Sequence, residues 1–153
     1  MRSAADLLYV AATVLHVVEE WPGFPRWARR FASPRYSDGE YVFTHVATIA
    51  IAVGTAALLT AFPLPWLVFL FLALVYGPGV LCNAFFHAGA TIVSRTYCPG
   101  AVTAVLLYLP LSILLLARML QDGLLGVPAL SGALALAMAV HTLEVGHNVF
   151  KRW

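Results

Sequence analysis

The chain has 153 residues, of which 61% are hydrophobic and 10% charged, with a mean hydropathy of +0.86; so apolar a composition excludes a water-soluble domain and points to an integral membrane protein. Its formal net charge of +2 comes from arginines flanking apolar runs, with no basic face or motif for nucleic acid. Cys82 and Cys98 have no metal-finger spacing and make no disulfide framework.

The first apolar run, about residues 4–21, has the outline of a secretion signal. It continues, however, into His16 and Glu19-Glu20 with no small-residue cleavage site, and is read as a retained helix closed by Trp21-Pro22-Gly23. Residues 22–39 mix aromatics with Arg26, Arg29, Arg30, Arg35 and three prolines, the composition of an elbow at the lipid headgroups. A second span, 40–62, carries His45 about one turn in, with Asp38 and Glu40 as solvated helix-start residues. The Pro63-Leu64-Pro65 turn makes the next helix an antiparallel neighbour. The third span, 65–93, should kink at Tyr76-Gly77-Pro78-Gly79 and then place Asn83 and His87 on one face. The fourth, 99–120, has Pro110 as a second kink and no histidine or carboxylate in its body, so it reads as packing. After Gln121-Asp122-Gly123 comes the fifth, 128–151. The predicted fold is all-α: a single transmembrane domain over residues 1–153, with five spans and an interfacial elbow after the first.

Basic residues set the orientation. Arg26, Arg29, Arg30, Arg35, Arg95, Lys151 and Arg152 fall on one side, Arg2 and Arg118 on the other, which predicts N-terminus out and C-terminus in. With about 1.5 Å of rise per residue, His16, His45, His87 and His147 then lie roughly 5–10 Å inside the cytoplasmic boundary, and Asn83, His141 and Glu144 up to about 15 Å. Independently of the charge distribution, these polar residues come to one level.

That convergence defines the candidate site. His141-x-x-Glu144-x-x-His147 fans imidazoles and a carboxylate across one face of an apolar helix, and His16-x-x-Glu19-Glu20 repeats the chemistry near the other end of the chain. A single intramembrane histidine commonly serves packing, but five imidazoles and three carboxylates from four spans resemble the inward-facing ligand sets of dinuclear bundle proteins. The predicted metal set is His16, Glu19, Glu20, His45, Asn83, His87, His141, Glu144 and His147. Glu19 and Glu20 are also the candidate catalytic groups. They point about 100° apart, so both reach one centre only if it lies between their faces; otherwise one orients a ligand or acts as base.

The motif at the end of the first run, with His45, Asn83-x-x-x-His87 and the 141–147 stretch after it, resembles the HXXEE domain family of small bacterial integral membrane proteins, over nearly the whole chain. The resemblance implies a site at these residues and a place in the bacterial inner (cytoplasmic) membrane. It implies no reaction, since the family's biochemical function is not established.

Imidazoles and carboxylates without thiolates suit two divalent ions, iron first and zinc second. The expected function is that of a non-haem di-iron oxidoreductase acting on a lipid or other hydrophobic substrate, whose electrons could come from a cytoplasmic reductant. A zinc hydrolase with Glu19 or Glu20 as base is the alternative, and a proton or metal-ion carrier is a third. Against the carrier, the outer halves of the spans hold Tyr9, Thr13, Thr55, Thr60, Tyr108 and Ser112 but no continuing line of strongly titrating groups.

Overall fold

The computed structural model describes residues 2–62 and 64–150, and within that range the side chains of all but residues 2–7, 56 and 60. Pro63 of the expected turn and Lys151 and Arg152 of the charge count lie outside the described residues. The described chain is all helical: α1 (Arg2–Glu20), α2 (Gly23–Phe31), α3 (Asp38–Ala61), α4 (Pro65–Ser94), α5 (Ala101–Gln121) and α6 (Val127–Asn148). Four of them, α3 to α6, are long and apolar enough to cross a membrane. Their outward faces carry Phe43, Val46, Ile92, Val93, Leu106, Ile113 and Leu143 exposed, a surface that suits acyl chains and not water.

Local chemistry sets the helix ends. Ser37 accepts from the Glu40 backbone N–H at 3.1 Å while Glu40 Oε2 accepts from the Ser37 backbone N–H at 2.9 Å, a capping box that starts α3. Arg29 donates to Asp38 Oδ1 at 2.8 Å, tying the elbow helix α2 to the same turn. Prolines stand in the first turns of α4 and α6, where a missing N–H costs nothing. The two expected kinks take a specific form. Around Pro78 the chain winds as π-helix over Leu72–Cys82, and ahead of Pro110 over Ala104–Tyr108. Proline has no N–H to donate and its ring crowds the preceding turn, which the wider winding relieves. The π segment of α4 also forms the most extensive packing in the molecule, against α6. A Cβ on Gly77 would come within 2.4 Å of Ala137 Cβ, so the α4 backbone packs directly on the Ala137 methyl of α6.

Two buried clusters flank the polar residues. The larger joins Ala12, Phe71, Leu72, Tyr76, Tyr108 and Leu130 in the body of the bundle. The smaller joins Phe24, Trp27, Ala28, Tyr36, Tyr41, Cys98 and Val149 beneath the elbow. The site lies between them, closed from one end by α2 and from the other by packed apolar side chains.

Candidate metal centre

Glu20 is the hub. It ends α1, is 2% exposed, and gathers three imidazoles from three helices. Its Oε1 lies 2.9 Å from His87 Nε2 of α4 and 3.6 Å from His16 Nε2 one turn back on α1, and its Oε2 lies 2.7 Å from His45 Nε2 of α3. The Tyr41 hydroxyl lies within donating reach of Oε2, at 3.1 Å. His16 is 2% exposed and His87 1%, so the contacts between them are shut off from bulk solvent.

Hydrogen bonding fixes how each ring is presented. The Thr103 hydroxyl donates to the Gly100 carbonyl at 3.2 Å. Its single proton thus used, it accepts from His16 Nδ1–H at 2.8 Å. His16 Nε2 is left with a lone pair, which takes the Asn83 amide N–H at 3.0 Å. For His45, Nδ1 faces only the Tyr41 carbonyl, at 2.8 Å, so Nδ1 carries a proton and donates. The opposing Nε2 then meets a carboxylate oxygen at 2.7 Å, a contact between two lone pairs unless a second proton or another cation stands there. For His87, Nδ1 lies 3.4 Å from Cys98 Sγ. Burial, with Glu20 and Glu19 adding to it, pushes the Cys98 thiol up to about 12, so it stays protonated; its S–H points to the Pro99 carbonyl at 3.9 Å, which leaves the sulfur as an acceptor for His87 Nδ1–H.

His16, Glu20 and His87 bring one ligand atom each to within 4.8 Å of one another. Ligand atoms bound to one ion at about 2.0–2.1 Å are separated by roughly 3.0–3.4 Å at octahedral or tetrahedral angles. The two carboxylate–imidazole pairs, at 2.9 and 3.6 Å, lie within a few tenths of an ångström of that range, so the three donors could hold a metal ion.

A cavity of ≈ 100 Å³ adjoins the hub. His45, Asn83, His141 and Glu144 line it, with Phe24, Thr48 and Phe86 among its other walls. Both ring nitrogens of His141 are buried without a hydrogen-bond partner among the described residues. Such a ring is costly to bury unless something in the adjoining space engages it.

The remaining expected residues are placed differently. His147 is exposed on α6 and outside the cavity lining. Glu19 turns away from Glu20: its Oε1 accepts from the Val102 N–H at 2.9 Å and from the Tyr97 hydroxyl, and its Oε2 accepts from the Thr103 N–H at 2.7 Å. Burial first, and then the carboxylate beside it, push the Tyr97 hydroxyl up to about 12, which keeps it a donor. Glu19 therefore caps α5 and stands outside the imidazole cluster.

The reading of the fourth span as packing needs correction. Its first turn gives Thr103 to His16, and Tyr108 lays its ring 4.5 Å from the His16 ring. The preceding loop brings Gly100, at φ +96°, so close that a Cβ there would lie 2.8–2.9 Å from His87, Glu20 and His16. Thr103, Gly100 and Cys98 carry no sequence signal of this role. Tyr41 had one, being four residues before His45 and stacked on it at 3.9 Å.

The profile of proteins of unknown function with an HXXEE motif matches residues 7–115. The chain belongs to the HXXEE family. The motif's last glutamate is the hub just described, and the match takes in Glu19, His45, Asn83, His87 and Thr103. It ends before α6, so the HXXEE match is shorter than the near-complete resemblance expected, and His141 and Glu144 lie beyond it. No curated protein and no solved structure matches this HXXEE chain significantly.

Proposed function

We propose that this chain is a membrane metalloenzyme whose first ion would be held by His16 Nε2, His87 Nε2 and Glu20 Oε1, the Asn83 amide releasing the His16 Nε2 lone pair to it. One observation carries the reading: three imidazoles from three helices turn on one buried carboxylate. Two histidines and a carboxylate with positions left open is the donor set of non-haem iron oxygenases. We place a second ion on the cavity side, between Glu20 Oε2, His45, His141 and Glu144. Supporting it are the His45–Oε2 contact, which needs positive charge, and the unpartnered His141 ring.

Bound iron would supply oxygen activation and electron transfer, and the chain's own residues do the rest. Phe24, Phe86 and Ile49 beside the cavity suit an apolar group of a lipid or similar substrate. The Tyr41 hydroxyl holds a proton at Glu20 Oε2, and electrons would come from a cytoplasmic reductant. A zinc hydrolase is the second reading, favoured by the same two-histidine, one-glutamate set, which also holds catalytic zinc; Glu144 would then be the base. The topology that goes with either is five spans, α1 being the fifth, with the N-terminus outside and the C-terminus inside the bacterial inner membrane.

Elemental analysis of freshly purified, detergent-solubilised protein tests this. About two irons per chain support the lead and zinc supports the second reading. A metal-free protein that also fails to take up added Fe2+ or Zn2+ would sink both and return the carrier to consideration.

A further inference from the structure

The two adjacent glutamates of the motif have separate partners throughout. Glu20 faces the imidazoles, whereas the contacts of Glu19 go to the segment from Tyr97 to Thr103. That segment touches the centre twice. Gly100 lies directly against the rings of His16 and His87, and Thr103 accepts the Nδ1 proton of His16. Thr103 is thus held by its backbone N–H to Glu19 Oε2 at 2.7 Å, and its hydroxyl holds His16 at 2.8 Å.

We propose that Glu19 is a positioning residue, neither ligand nor base: through Thr103 it fixes the His16 imidazole as the Nδ1–H tautomer and keeps Nε2 aimed at Glu20 and His87. A ligating histidine generally has its far ring N–H held by an acceptor that sets ring orientation. Here the acceptor is a hydroxyl, and a carboxylate one step further out holds the hydroxyl's own backbone. The alternation in HXXEE then has a physical basis. The first histidine and last glutamate, four apart, share the inner face of α1, and Glu19 lies about 100° around the helix, where it meets the start of α5.

The test uses the full chain in detergent, with the tautomer and the metal read separately. In metal-free protein, imidazole 15N NMR should show His16 as the Nδ1–H form. In Glu19→Gln the two tautomers should mix, and Thr103→Val should remove the preference while Thr103→Ser restores it. This arm is independent of the metal reading. The second arm rests on that reading and uses Co2+ as probe. Glu19→Gln and Thr103→Val should each weaken Co2+ binding by about 10–100-fold and alter its visible spectrum. The double variant should be no weaker than Thr103→Val alone, because the two act in series.

An unchanged His16 tautomer in Glu19→Gln, even with a lower melting temperature, would make Glu19 only a helix cap and overturn the proposal. Loss of Co2+ binding as complete as in His87→Ala would overturn it in the other direction, making Glu19 a ligand. If wild type binds no Co2+ yet the tautomer responds as stated, the metal reading fails and the positioning role stands.

Discussion

Replacing Gly100 by alanine probes the seat of the centre most directly. A residue with a Cβ at φ +96° costs about 1–3 kcal/mol in backbone strain. The new methyl would lie 2.8 Å from His87 Cε1, 2.9 Å from Glu20 Cγ and 2.9 Å from His16 Cε1, well inside contact distance. These atoms cannot swing aside cheaply. His16 is held through both nitrogens by Thr103 and Asn83, and His87 by Glu20 and Cys98. Overpacking at such a site costs a further ~1–3 kcal/mol, for a total of about 2–6 kcal/mol. At roughly 2–4 °C per kcal/mol for a chain of this length, Gly100→Ala should melt about 4–24 °C lower in detergent and bind Co2+ more weakly, because the rings must move. Gly89→Ala is the control: nothing lies within 4 Å of a Cβ there, and within a helix alanine should be neutral or gain about 0.5–1 kcal/mol. Wild-type melting and Co2+ affinity in Gly100→Ala would show that the loop does not lie on these rings, and the account of the site would fall with it.

Chelation should destabilise the metal-loaded wild type, by about 2.7 kcal/mol if the free ion had been at a hundred times its Kd; Glu20→Gln should show almost none of this loss and His147→Ala all of it. The reverse pattern in chelator melts would relocate the ion. Cys98 is fully buried and its thiol is raised by burial from 9.0 to about 12, so in a Cys82→Ala background it should resist alkylation at pH 8 until the protein is denatured. Because the folded value is the higher one, the stability Cys98 contributes is complete below about pH 9 and is lost as pH rises towards 12. Cys98→Ala should flatten that part of the pH–stability curve, and an unchanged curve would tell against the burial. A reporter fused after Trp153 should behave as cytoplasmic and one at the N-terminus as external; the opposite result would put the site at the outer face.

Much of this protein is legible in its sequence, because in a membrane the sequence states its problems openly. Apolar runs of span length are unmistakable, and a buried carboxylate such as Glu20 needs partners wherever it lies. The helical period then puts His16 and Glu20 on one face and Asn83 and His87 on another, and the elbow follows from prolines and arginines between runs. What period and composition leave open is azimuth: how each helix is turned about its axis, and which groups from distant parts of the chain fill the remaining hydrogen bonds. Only packing decides that. The close approach of α4 to α6 at Gly77 and Ala137, the winding around Pro78, and the seating of Gly100 under two imidazoles determine that His45 reaches Glu20 while His147 turns outward. The division between Glu19 and Glu20 has the same origin. Adjacent in sequence and alike in chemistry, they differ because one faces three imidazoles and the other the backbone N–H groups of a helix more than 80 residues away, a distinction that exists only once α1 and α5 are packed together.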